Sequence, residues 1–211
     1  MSAGSIAPIG GPTVLLETGG WRLLADPTFD APGRRYAFGR GDVLAQAGRA
    51  RDRSARRRAG RRGPAEPRNT TATTSTLPGA RCCRRSEGQA NGVLWISGET
   101  VLYDGLREAA RRLHVDVALL HLGGVRFAVT GPVRYAMTAA EAIELCALLR
   151  PRVTIPIHYE GWSRFREGRD ATGRELARAP DDVRRRVRWL PTGVPTDVAA
   201  EPGLRAPRGS A

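Results

Sequence analysis

DVALLHLGG at residues 116–124, and VTIPIHYEGW at residues 153–162, decide how this chain is read. Asp116–Leu122 and Val153–Ile157 are nearly unbroken apolar runs, the pattern of parallel strands covered on both faces. Gly123-Gly124 ends the first run, and His158 stands just past the end of the second. Between them Thr138 is followed three residues later by Glu141, a capping box that opens a helix running to about Leu149, before Pro151. Strand, helix and strand in succession predict an α/β sandwich whose site residues sit in loops after the strand ends.

Working outward, residues 93–97 (VLWIS) and 101–103 (VLY) read as strands bracketing Gly98-Glu99-Thr100, and Leu106–Leu113 as a short amphipathic helix. Residues 13–17 (TVLLE) and 21–25 (WRLLA) read as a β-hairpin turned by glycine and broken at Asp26-Pro27-Thr28. Downstream, helices are expected over about 164–178 and 181–187, with a last strand near 187–190. The Pro/Gly/Ala-rich tail from about Thr196 is expected to be disordered.

The 211 residues, 41 % of them apolar, suit one domain over 1–195, interrupted at about 40–90 and followed by a tail at 196–211. The interruption has neither helical nor strand periodicity and is expected to be a poorly packed, disordered Arg-rich insert. It holds thirteen Arg against Asp42, Asp52, Glu66 and Glu87, a net of +9 out of the chain's +13. The basicity therefore belongs to this segment and not to a designed face. All 34 basic residues are Arg. A surface selected for phosphates would mix in Lys, so the composition points to a GC-rich coding sequence and makes a nucleic-acid partner unexpected. No apolar stretch approaches the roughly 20 residues that span a bilayer, and no secretory signal is visible. Cys82 and Cys83 are adjacent, Cys146 lies in a predicted helix, and none has zinc-site spacing, so a reduced cytoplasmic protein is expected.

Four segments in order resemble the metallo-β-lactamase-fold hydrolases, in the branch of L-ascorbate-6-phosphate lactonases and N-acyl-phosphatidylethanolamine phospholipases. GGPTVLLETGGWRLLADPTFD (10–30) is similar to the opening hairpin of that family, and SGETVLYDG (97–105) to the strand end carrying its metal-bridging carboxylate. LLHLGG (119–124) is similar to the next strand and turn, and IPIHYEGW (155–162) to the segment with the last ligand histidine. The resemblance implies a four-layer αββα sandwich, here incomplete. It implies a hydrolase that uses metal-activated water on an ester, lactone, amide or phosphoester of a small molecule. Zinc, or else manganese or iron, would lower the pKa of that water to about 7.

By resemblance Glu99 takes the bridging role and His158 ligates the second metal. Glu99 departs from the family's Asp, and the extra methylene moves the carboxylate by about 1.5 Å. Each has a plainer alternative: Glu99 as a solvated turn residue, His158 as a satisfied histidine at a strand end. His121 either lines the site or belongs to the core, and Asp26 either supports a ligand by a hydrogen bond or caps a turn. Tyr159, Glu160 and Trp162 are candidates for a substrate wall, Trp162 equally for packing. His114 reads as a helix-terminal residue favouring the dipole.

The family's His-x-His-x-x-Asp element is missing: the three histidines are His114, His121 and His158. The codons implied by Pro64–Arg68, read from their second bases, permit Leu-Leu-Ser-His. Those of Asn69–Cys83, read from third bases, permit His-x-x-Asp-Asn-Leu-Asp. Residues about 40–90 are accordingly read as translated out of the ancestral frame and shortened, leaving the first metal site unmade and the activity impaired. The alternatives are a non-catalytic remnant and a basic nucleic-acid binder acting through the Arg run at 49–62.

Overall fold

The computed structural model describes residues 4–18, 20–28 and 93–198, and the backbone at 35–38 and 42–45. The strands are β1 (Ser5–Gly10), β2 (Thr13–Thr18), β3 (Trp21–Ala25), β4 (Arg35–Phe38), β5 (Asp42–Ala45), β6 (Leu94–Ile96), β7 (Val117–His121), β8 (Val153–Ile157) and β9 (Thr196–Asp197). The helices are α1 (Asp104–Arg112), α2 (Ala139–Leu149), α3 (Arg169–Ala177) and α4 (Asp181–Arg184).

β6, β7 and β8 form a parallel sheet in that order, with α1 and α2 as the crossovers. Every residue of β7 and β8 is buried, as their apolar runs require. Pleating sends alternate side chains to opposite faces. Ala118 and Leu120 join Trp95 and the inner stripes of α1 (Leu106, Ala110) and α2 (Ala142, Leu145, Cys146, Leu149). Val117, Leu119, Val153, Ile155 and Ile157 face the other way and meet Ile6, Val14 and Leu16. Those last three belong to an antiparallel sheet of order β3-β2-β1-β9. The described core is thus three layers: helices, parallel sheet, antiparallel sheet. The second helical layer of a four-layer sandwich is not among the described residues.

The capping box at Thr138 and Glu141 is formed: the Thr138 hydroxyl accepts from the Glu141 N–H, and the Glu141 carboxylate accepts from the Thr138 N–H at 2.9 Å. Arg134 grips the same carboxylate at 2.5 and 2.8 Å. Among the described residues no helix is long and apolar enough to cross a membrane.

Several expectations are corrected. Residues 101–103 form no strand with the described residues, and Tyr103, in extended conformation, serves as the N-cap of α1. The helix expected from 164 begins at Arg169, since the N–H groups of Arg166 and Glu167 both donate to the Gly123 carbonyl. The helix expected over 181–187 ends at Arg184, and the last strand contracts to one parallel bridge between Val187 and Thr154. The tail expected to be disordered opens with β9, paired to β1 through Ser5–Asp197 and Ile6–Thr196. The insert expected to lack structure starts with β5, antiparallel to β4. The rest of that expectation, and all but residues 42–45 of the segment given the frame reading at about 40–90, lie outside the described residues, as does the tail beyond Val198.

β1 was not expected. SIAPIG has Pro8 and little β-branching, and it becomes a strand because β2 and β9 flank it.

Candidate active site

The chain ends of the three parallel strands and the end of β3 converge. Parallel strands leave their next loops at one edge of the sheet, which is where α/β folds build sites. Glu99 follows β6, His121 closes β7, His158 follows β8 and Asp26 follows β3.

Two carboxylate–imidazole pairs result. His121 Nε2 lies 3.0 Å from Asp26 Oδ2, and His158 Nε2 lies 3.1 Å from Glu99 Oε1. The two rings stand 5.5 Å apart between centroids. An ionised carboxylate can only accept, so in each pair Nε2 carries the proton and donates it. His121 is fully buried, and burial pushes its imidazole below the usual histidine range against the opposing pull of Asp26. Its hydrogen bond in turn holds the Asp26 carboxyl below the ordinary carboxylate value, more than burial raises it. Glu99 is lowered in the same way by the hydrogen bond from His158.

Neighbouring groups set these orientations. Ser97 Oγ accepts from the His121 backbone N–H at 2.9 Å and lies 3.4 Å from its Nδ1, which ties the end of β6 to the end of β7. The Thr13 hydroxyl donates to the Asp26 carbonyl at 2.8 Å and accepts from the Thr28 N–H at 2.9 Å, locking the break after β3. Asp26 itself has φ +42°. His158 has φ +60°, a left-handed backbone unusual for a residue with a side chain. Its N–H donates to the Gly11 carbonyl in the β1–β2 turn at 3.3 Å, and its ring meets Phe165 edge-on at 4.9 Å. Gly123, at φ +104°, admits this arrangement, because a Cβ there would lie 2.8 Å from the His158 carbonyl oxygen and 2.6 Å from the Phe165 ring.

A cavity of about 280 Å³ opens onto Glu99 and His158, walled by Val125, Phe127, Trp162 and Phe165, with Thr28 and Arg164 among its polar lining. Of the sequence candidates, Asp26, Glu99, His121 and His158 come together. Trp162 lines the cavity. Tyr159 is buried, its ring edge-on to Trp189 at 5.1 Å and its hydroxyl accepting from Arg169 at 3.1 Å, and it does not line the cavity. His114 is exposed, two residues beyond the end of α1. Sequence reasoning missed Ser97, Phe127 and Phe165. The aromatics sit in loops without periodicity, and the signal that could have found them is their position just after Gly123-Gly124 and just after Trp162.

A divalent cation such as zinc takes three or more protein ligands of imidazole, thiolate or carboxylate type. Among the described residues no three His, Cys, Asp or Glu side chains are placed to hold one. Both Nε2 atoms are turned to carboxylates, and His158 Nδ1 is buried without a hydrogen-bond partner. The described donors are of the right chemistry but form pairs, so by themselves they do not fit a metal ion.

The fold and this edge cluster place the chain among mixed α/β proteins with a polar site at the strand ends. In sequence it is similar to enzymes described as UPF0173 metal-dependent hydrolases. It is 31 % identical over 114 residues to that of Methanosphaerula palustris, covering 50 % of this chain and 47 % of the relative. It is 32 % identical over 111 residues to that of Solibacter usitatus (53 % and 38 %), and 32 % over 112 residues to that of Opitutus terrae (53 % and 44 %). The chain thus spans less than half the length of these relatives. No family model matches. Among solved structures, a metallo hydrolase of Ignicoccus hospitalis aligns with a TM-score of 0.47 at 12 % identity, over 92 % of this chain and 98 % of that one. An isothiocyanate hydrolase from Delia radicum gut bacteria aligns with a TM-score of 0.42 at 13 % identity, over 49 % and 39 %.

Proposed function

We propose that this chain is a hydrolase of the metallo-β-lactamase type, an αββα sandwich over 1–195 broken at about 40–90, acting in the cytoplasm on a small molecule. Its bond is an ester, lactone, amide or phosphoester, and its activity is impaired in the chain as written. The observation that carries this reading is the meeting of Asp26, Glu99, His121 and His158 at one sheet edge beside a cavity. The likeness to metal-dependent hydrolases supports the reaction class and a metal requirement; the cation of this reading is zinc, or else manganese or iron, incompletely held by the chain as written.

Impairment rests on the count of donors. The full chain has three histidines, one of them exposed beyond α1, so at most His121 and His158 can reach the site as imidazole ligands. No metal-bound step follows from these residues. What they do is hold protons and orientation: Glu99 keeps the proton of His158 on Nε2 and fixes its ring, and Asp26 does the same for His121. His158 lines the cavity, so its Nε2–H can donate a hydrogen bond to a group bound there once the Glu99 bond loosens, while buried His121 acts through its hold on Asp26.

The test is metal analysis of the purified full chain, with hydrolysis of an ester, lactone, amide and phosphoester panel in zinc or manganese. Less than one metal per chain, with weak hydrolysis that His158→Ala abolishes, is the expected result. Hydrolysis equal to that of His158→Ala would overturn the reading, and salt-sensitive retention on nucleic acid would then replace it with a basic binding protein. Resequencing the gene decides the frame: in-frame codons across 40–90 that cannot spell the histidine motif refute that account.

A further inference from the structure

The edges of the two core sheets are finished in different ways. β9 runs for two residues and β6 for three, while β8 carries Pro156 and a bridge from Thr154 to Val187. Short strands, proline and added pairings are devices that keep a sheet edge from recruiting another strand. β3 has none of them. It is a regular run of five residues, paired to β2 without a bulge, and its other edge meets no strand among the described residues. Trp21, Leu23 and Ala25 lie opposite Thr18, Leu16 and Val14, so they share the face that Val14 and Leu16 turn to the core. Yet Trp21 is 63 % and Leu23 42 % exposed, and Leu24 on the opposite face is 39 % exposed. The apolar layer of the core thus runs out to solvent along β3, and an exposed apolar strand edge is a template for another strand.

We propose that two copies of this chain pair antiparallel along β3, about a two-fold axis at Leu23, joining two four-stranded sheets into one of eight strands. The strand is complementary to itself in that register. Leu23 faces the partner's Leu23, and the large Trp21 stands opposite the partner's Ala25. Arg22 stands opposite the partner's Leu24 and keeps its ion pair to Glu17, at 2.9 Å, within its own sheet. Like charges directly opposite would resist pairing, and this register sets none there. A two-fold contact closes on itself, so association stops at the dimer. With five residues a side the buried area falls below about 1,200 Å², which makes the dimer transient, with a dissociation constant on the order of 10–100 µM. The chain's charge of +13 repels a second copy, so added salt tightens the contact. The pairing needs no metal and stands whether or not the chain hydrolyses a substrate.

The test is sedimentation equilibrium of the full chain from about 5 to 500 µM, a range that brackets the expected constant, in low and high salt. The mean mass is expected to climb from 22.8 kDa towards twice that, and to do so at lower concentration in high salt. Leu23→Lys and Leu23→Glu, each checked for fold by circular dichroism, set like charges face to face on the axis. Each is expected to weaken association at least about tenfold. An equimolar mixture of the two sets Lys opposite Glu and is expected to recover it. Trp21→Ala removes a ring that is mostly in solvent, so it tests the contact even if the Leu23 variants fail to fold. It is expected to weaken the dimer about three- to tenfold. A mass that stays at 22.8 kDa throughout overturns the proposal and assigns the edge to a segment of the same chain. Growth beyond the dimer overturns it too, as does association that folded Leu23 variants or Trp21→Ala leave unchanged. So do Lys and Glu variants that are monomeric alone and stay monomeric when mixed.

Discussion

Replacing Gly123 by alanine puts the geometry of the site under direct test. The residue has φ +104°, where a side chain is strained whatever the space around it, at a cost of about 1–3 kcal/mol. The new Cβ would stand 2.8 Å from the His158 carbonyl oxygen, a backbone atom, and 2.6 Å from the Phe165 ring. Ordinary contact begins near 3.4 Å, so both partners must give way, the carbonyl by about 0.6 Å and the ring by about 0.8 Å. Overpacking of that kind adds about 1–3 kcal/mol. The sum, about 2–6 kcal/mol, is a large part of the 5–15 kcal/mol that holds an average domain. Gly124 is the internal control. It has φ +56°, but a Cβ there meets nothing closer than Thr138 Cγ2 at 3.5 Å, so Gly124→Ala should cost only about 1 kcal/mol. Urea unfolding monitored by circular dichroism measures both variants at one temperature and one pH. Equal losses at the two positions, or a Gly123→Ala variant within about 0.5 kcal/mol of the parent, would show that the loop after β7 does not press on His158 as described.

Two further outcomes follow from the same structure. Thr138→Ala and Glu141→Ala should each lower stability by about 1 kcal/mol. Their double variant should lose less than the sum because they share one hydrogen-bonded box, and a double-mutant cycle of urea midpoints checks this. Acid sensitivity should depend on His121: its folded pKa lies below the unfolded value of 6.5, so the unfolded chain takes up a proton first and stability falls as pH drops below about 7. Asp26, lowered from 3.8, contributes stability above that pH that is lost only as pH falls below it. His121→Gln should therefore flatten the decline between pH 7 and 5, and urea midpoints at several pH values would expose an unchanged slope.

Much of the scaffold was legible because some residues leave few options. The continuous apolar runs of β7 and β8 suit a sheet covered on both sides, and a Thr-x-x-Glu box announces a helix wherever it sits. β1 was not legible, since SIAPIG is a strand only through its neighbours. The stretch before α3 was read as helix because nothing local reveals that Arg166 and Glu167 donate to a carbonyl more than forty residues upstream. The site shows the same division. Glu99 and His158 stand out by their place after strands, but their pairing, and that of Asp26 with His121 across 95 positions, is a property of the fold alone.

The backbone of His158 has a consequence for how the protein assembles. Its left-handed turn is held by a hydrogen bond to Gly11, a contact between residues roughly 150 apart in sequence. Contacts of that span form late, because the chain entropy of closing so long a loop must be overcome before they reward it. The parallel sheet and its helices can collect their own core from residues 93–190 without the N-terminal hairpin. His158 would then have its neighbours but not the tie that fixes its turn. Chemical competence thus trails compactness: the helical face of the parallel sheet can pack first, and only the docking of the first hairpin covers the other face and sets His158 in place.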